Sequence, residues 1–228
     1  MDFKSENGSV IVFIFIAIAL FGALGYAVST MMRGGNETIR TEQAALYASG
    51  MLDSARALHD VVRQLKILND CSDTEVSFEN NFVPDYTHSP QSRADCRVFH
   101  PDGGGLSYIR PNLDWLDPLK SSETGYGLYY FSGKPRADGV GSSLTDIILF
   151  LNYIATDVCL QVNDIAGIDN PSSLPPLDVG AIDTFHTFDG SFDTGSALNP
   201  PEAHGHLFGC FQDSGQNRNI FYQVILAR

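Results

Sequence analysis

The residues from Phe192 to Ser196 read FDTGS, which matches the active-site motif of aspartic proteases. Those enzymes need two aspartates that share one proton, so a second motif must come from another lobe or from a symmetry-related subunit. This chain has no second DTG, and Asn199, Pro200 and Pro201 interrupt the strand that would follow. We therefore expect no catalysis by Asp193.

Oxygen-bearing side chains alternate through DGSFD, at Asp189, Ser191 and Asp193, and such a loop could offer ligands to calcium. The bidentate glutamate that an EF-hand loop places downstream is missing, so a plain turn is favoured over this weak calcium candidate. His204 and His206 form an HxH pair without a nearby third ligand. The sequence thus predicts neither a resident metal nor a cofactor.

The segment PDGGG at residues 101–105 lacks the Lys-Ser/Thr pair and the helix start of a phosphate-binding loop, so it predicts a turn. Neither GxSxG nor GxGxxG occurs in the chain. We therefore predict that the protein is not an enzyme. The net charge of -13, from 14 basic and 27 acidic residues, has the wrong sign for a phosphate backbone and argues against nucleic acid.

An uncharged stretch near the N-terminus predicts a membrane anchor. Val10–Val28 reads VIVFIFIAIALFGALGYAV, and at about 1.5 Å per residue such a helix can cross a hydrocarbon core of ~30 Å. We expect a transmembrane helix at residues 9–33 in contact with membrane lipid. A cleaved signal peptide ending near Ala27–Ser29 is the alternative, although its apolar region would be unusually long.

The four cysteines favour an orientation for this single span. Cys71, Cys96, Cys159 and Cys210 form no CxxC pair, so two disulfides in an oxidising compartment are preferred over buried free thiols. The basic residues flanking the span do not decide the orientation. With no second span predicted, we expect the N-terminus in the cytoplasm and the larger domain on the periplasmic or extracellular side of the inner membrane.

The first residues carry a family resemblance. MDFKSENG followed by SVIVFIFIAIALFGALGYAVSTMM resembles a type IV prepilin, with a short polar leader at residues 1–8 that contains Lys4 and ends in Gly8. The resemblance covers about the first 65 residues. It implies that a prepilin peptidase cuts after Gly8, that Ser9 becomes the mature N-terminus, and that the helix packs against other pilin-like subunits.

One position departs from the family pattern. Most members have Glu at the fifth mature position, where it neutralises the N-terminal amine of a neighbouring subunit, whereas this chain has Phe13. A tip-forming minor pseudopilin of type II secretion also lacks that Glu, so the resemblance implies a minor or tip subunit. SFEN, GGG, Cys159 and the final FYQVILAR further resemble pilin-like proteins of alphaproteobacteria.

The rest of the chain predicts an α+β fold: the transmembrane helix continues into an amphipathic helix that packs on a mainly antiparallel β-sheet head with one further helix. Spacings of four and three between apolar residues indicate the amphipathic helix at 36–69, after a bend at Gly34-Gly35. An ordinary helix of an independent domain is the alternative. The head, residues 70–228, contains short strand-like runs, namely TEVSFE, CRVFH, LSYI, GLYYFSG and DTFHTF.

Three further predictions concern the head. We expect its helix at Ser143–Asn163 and a C-terminal hairpin that turns near Ser214-Gly215. The last strand should be central in the sheet, because both its faces are largely apolar. Proximity along the chain and between these elements predicts the disulfides Cys71–Cys96 and Cys159–Cys210.

These features together predict a structural protein. We expect a minor pilin or pseudopilin-like subunit of an envelope filament or secretion apparatus, assembling through its N-terminal hydrophobic helix. The alternative is a membrane-tethered extracytoplasmic binding protein for a glycan, a peptide or a partner protein.

Overall fold

A computed structural model describes the backbone of residues 8–228 except 181 and 194 and, within the first helix, the side chains of residues 12–26 and from 39 onward. It contains the helices α1 (Gly8–Leu68) and α2 (Thr156–Ala166). Its strands are β1 (Tyr129–Ser132), β2 (Arg136–Ala137), β3 (Ile147–Asn152), β4 (Leu177–Asp178), β5 (Ala197–Leu198), β6 (Phe208–Asp213) and β7 (Arg218–Leu226). The 3₁₀ turns are Ala94–Cys96, Leu113–Trp115, Pro118–Lys120, Pro171–Ser173 and Pro201–Ala203. The predicted α+β class is confirmed.

Helix α1 is continuous through Gly34-Gly35, so the glycine pair does not separate two helices as the sequence suggested. Its C-terminal part has the predicted apolar face. The buried residues on this face are small at first and larger later: Ala44, Ala48, Met51, Leu52, Ala55, Leu58, Val62 and Leu65. They share one core with the sheet residues, because the same buried cluster contains strands β1, β3, β6 and β7.

The chain divides into two compact units, the first ending at Gln43 and the second running from Ala44 to Arg228. Over the residues that the structure describes, no helix combines the length and hydropathy needed to cross a membrane. The span at residues 9–33 therefore stays a prediction from the sequence.

The main sheet has the strand order β1-β3-β7-β6-β4. Its pairs are antiparallel except that β4 runs parallel to β6. All nine residues of β7 are buried, which confirms its predicted central place and the hairpin that it forms with β6. A smaller parallel pair joins β2 to β5.

The helix predicted at Ser143–Asn163 is wrong in its first half. Residues Ile147–Asn152 form β3, and all six are buried between β1 and β7. A continuous apolar run fits a buried strand as well as it fits one side of a helix. The helix α2 begins only at Thr156 and ends at Ala166. The next residue, Gly167, has a φ of 74° and forms the left-handed cap that glycine favours.

Most of the other short runs do not form strands. GLYYFSG contains β1, but TEVSFE and CRVFH meet only in a single bridge between Ser77 and Arg97, while LSYI and DTFHTF have no strand assignment. Their apolar side chains are nevertheless buried at Val76, Phe78 and Val98. The alternation of apolar and polar residues therefore predicted which side chains are buried, but these segments do not pair as β-strands.

Both predicted disulfides are present. Cys71 pairs with Cys96 at a Cα separation of 5.8 Å, and Cys159 pairs with Cys210 at 5.4 Å. The second bond joins α2 to β6. The loop closed by the first bond contributes its own buried residues to the core, including Phe78 and Tyr86.

Candidate functional site

The first part of α1 carries a continuous apolar surface. Every large apolar side chain in Val12–Tyr26 is at least half exposed, from 50% at Ile16 to 76% at Phe21. Successive helical residues point about 100° apart, so this segment is apolar on all sides. In this structure the segment therefore exposes apolar surface around its whole circumference.

The proposed processing site lies at the start of this helix. Gly8 is the first residue of α1, while the leader residues 1–7 and the Ser9 side chain lie outside what the structure describes. Phe13 is 67% exposed and carries no charge. It cannot neutralise the amine of a neighbouring subunit as a glutamate would.

A second feature is a cleft in the unit that begins at Ala44, which we name the aromatic cleft. Its volume is about 430 Å³, and its lining residues are Ser54, Ala57, Leu58, Phe99, Leu106, Ser107, Tyr108, Ile109, Arg110, Asn112, Trp115 and Tyr129. Of these residues, Trp115 and Tyr129 are buried. The Tyr108 hydroxyl accepts a hydrogen bond from the Tyr129 N–H at 3.0 Å, and burial raises the Tyr108 pKa.

Sequence reasoning did not find this cleft. Its residues come from distant chain segments, and the LSYI run was interpreted as a strand when it forms one wall. The available signal was the chain's single tryptophan, Trp115, in a loop after Pro111.

The weak calcium candidate forms a turn. The Asp189 carboxylate accepts hydrogen bonds from the N–H and the hydroxyl of Ser191, and these bonds lower the Asp189 pKa. Asp193 is exposed. Among the described residues, no three His, Cys, Asp or Glu side chains are grouped so as to hold a metal.

Asp189 and Ser191 instead line a polar cleft of about 570 Å³ together with His88 and Glu75. The His88 ring is buried, and desolvation lowers its pKa. The cleft thus contains Asp189, His88 and Ser191, the residue types of a hydrolytic triad. Among the described residues no hydrogen bond joins His88 to Ser191, so the three do not have the geometry of a triad.

The remaining sequence motifs have structural roles. The His204 ring is mostly exposed and lies 4.0 Å from an Asp138 carboxylate oxygen, and the His206 carbonyl accepts the Tyr222 hydroxyl. PDGGG forms the predicted turn. Its Gly104 lies so close to Val98 that a Cβ there would overlap the backbone.

Comparisons of the chain with protein-family models, with curated proteins and with solved structures find no match.

Proposed function

We propose that this chain is a minor pilin-like or pseudopilin-like subunit of an envelope filament or secretion apparatus. It is anchored in the inner membrane and assembles with related subunits through the N-terminal part of α1. The observation that carries this proposal is the apolar surface of Val12–Tyr26, which covers all sides of the helix.

An all-round apolar helix is costly in water. Burying apolar surface stabilises by about 25 cal/mol per Å², so side chains as exposed as Phe21 and Tyr26 favour transfer into lipid or into a helix bundle. The longer apolar run of the sequence, Val10–Val28, and the leader-like residues before it favour the membrane.

The head is suited to an environment outside the cytoplasm. It has two disulfides, and disulfides persist in oxidising compartments. The negative net charge of the chain separately argues against nucleic acid as a partner. A head outside and an anchor in the inner membrane agree with the orientation of pilin-like subunits.

Phe13 narrows the proposal to a minor or tip position. A subunit inside a long filament would contribute a glutamate to the amine of its neighbour, and Phe13 cannot. A subunit at the end of an assembly has one neighbour fewer, so the loss of this pairing costs it less.

The test is the N-terminal mass of the protein purified from its native membrane. We expect a mature chain that begins at Ser9, and we expect Gly8→Leu to abolish cleavage because the peptidase requires a small residue. Gly22→Leu is the matched control, since a Cβ at Gly22 meets nothing within 4 Å. An uncut chain beginning at Met1 would contradict the proposal, as would equal processing of the Gly8→Leu variant.

A further inference from the structure

The aromatic cleft runs beside an open stretch of backbone. Five successive residues, Leu106–Arg110, line one wall, and the segment 106–112 is irregular, with no strand partner. The Leu106 N–H donates a hydrogen bond to the Val98 carbonyl. Within the described chain, the N–H groups of residues 107–110 donate none. Those groups are free to pair with a ligand.

At the neighbouring sheet edge, by contrast, side chains pair with the backbone N–H groups. On β1, the N–H groups of Tyr129 and Phe131 are capped by the hydroxyls of Tyr108 and Tyr86. Such capping keeps an edge strand from pairing with another chain. The backbone of Ser107–Arg110 is therefore available for pairing with an added strand, whereas the edge of β1 is not.

The side chains that line the cleft indicate which ligand side chains would fit there. Of the aromatic and apolar residues that line the cleft, Ile109 is 77% exposed while Trp115 and Tyr129 are buried. Among the described residues that line the cleft, Arg110 is the one with a charge, and its Nε donates to the Gly127 carbonyl at 3.1 Å. In a chain of net charge -13, this is a local positive site that favours a carboxylate.

We propose that the aromatic cleft binds an extended peptide that pairs with residues 107–110 by strand addition. An apolar side chain of the peptide enters the cleft, and a neighbouring acidic side chain pairs with Arg110. Main-chain hydrogen bonds supply affinity in this mode, and the pocket supplies specificity. The proposal is independent of the filament assignment.

The chain carries its own reporter, because Trp115 is its single tryptophan. The probe is an acetylated and amidated pentapeptide of alternating valine and glutamate, titrated into the full chain in detergent while Trp115 emission is followed. We expect saturable binding that weakens at least about tenfold when alternate peptide nitrogens are methylated, since methylation removes the donors that strand addition needs.

Two variants test the charge. Arg110→Glu should weaken binding of the glutamate peptide about tenfold and should improve binding of a matched lysine peptide. Arg63→Glu is the matched control, because Arg63 is exposed on α1 and does not line the cleft.

Three outcomes would overturn the proposal: equal binding of the methylated peptide, equal loss in the two arginine variants, or no response at millimolar peptide. A shift of Trp115 emission by chitooligosaccharides without one by the peptide would also overturn it, in favour of a glycan.

Discussion

At the scale of single residues, side chains complete the backbone hydrogen bonding of two strands of the main sheet, β1 and β6. Tyr86 accepts from the Phe131 N–H at 2.9 Å on β1. On β6, Asn163 accepts from the Cys210 N–H and donates to its carbonyl, as a partner strand would. Buried backbone groups are almost always paired, so these side chains let a short sheet end inside the protein.

Tyr86→Phe should therefore destabilise the fold although it removes a single oxygen. The Phe131 N–H would be left buried without a partner, at a cost of about 1–3 kcal/mol. Urea unfolding with the disulfides intact measures the change. Tyr126→Phe is the control, because the described structure gives no hydrogen bond to the half-buried Tyr126 hydroxyl, and a loss as large there would contradict the argument.

Stability should also fall in alkali. Burial raises the pKa of Tyr86, Tyr129 and Tyr222 above the value of 10.0 for a free tyrosine. As the pH rises toward and past that value, the unfolded chain loses protons that the folded chain keeps, so stability is full well below pH 10 and declines through it. We expect a loss of roughly 2 kcal/mol between about pH 8 and about pH 10.5 in urea unfolding. An unchanged midpoint would show that these phenols ionise freely.

At the scale of elements, the sequence predicted the structure correctly where a residue pattern fitted one type of secondary structure and not another. The last strand is largely apolar on both faces, which predicted a central strand, and all nine of its residues are buried. The cysteine pairing was predicted from the elements on which the cysteines lie. IILFLN fitted two structures and was assigned the wrong one. The cleft could not be predicted, because Trp115 and Tyr108 meet only after the chain has folded.

The attachment of α2 to β6 gives an element-scale prediction. Asn163→Ala removes the acceptor 2.8 Å from the Cys210 nitrogen and the donor 2.9 Å from its carbonyl oxygen. Two buried groups then lack partners, so we expect a loss of about 3 kcal/mol even with the disulfide to Cys159 intact. Gln161→Ala, two residues earlier on the same helix, should change stability by less than about 0.5 kcal/mol. Equal effects would mean that the disulfide alone holds α2.

At the scale of the whole molecule, two kinds of surface are present in one chain. Residues 12–26 expose apolar side chains on every side of a helix, whereas the unit from Ala44 to Arg228 encloses a core with the sheet and both disulfides. The second unit therefore has a core of its own.

A fragment of residues 44–228 should therefore fold without the first unit. It retains the buried α1 face from Ala44 to Leu65 and both cysteine pairs, so we expect a monomer without detergent, one cooperative urea transition and two disulfides in non-reducing peptide maps. The full chain is the matched comparison, and we expect it to need detergent because its apolar helix remains. Light scattering and analytical ultracentrifugation distinguish the two. An unfolded or aggregated fragment would show that the core depends on the first unit, and a monomeric full chain in plain buffer would remove the reason for an anchor.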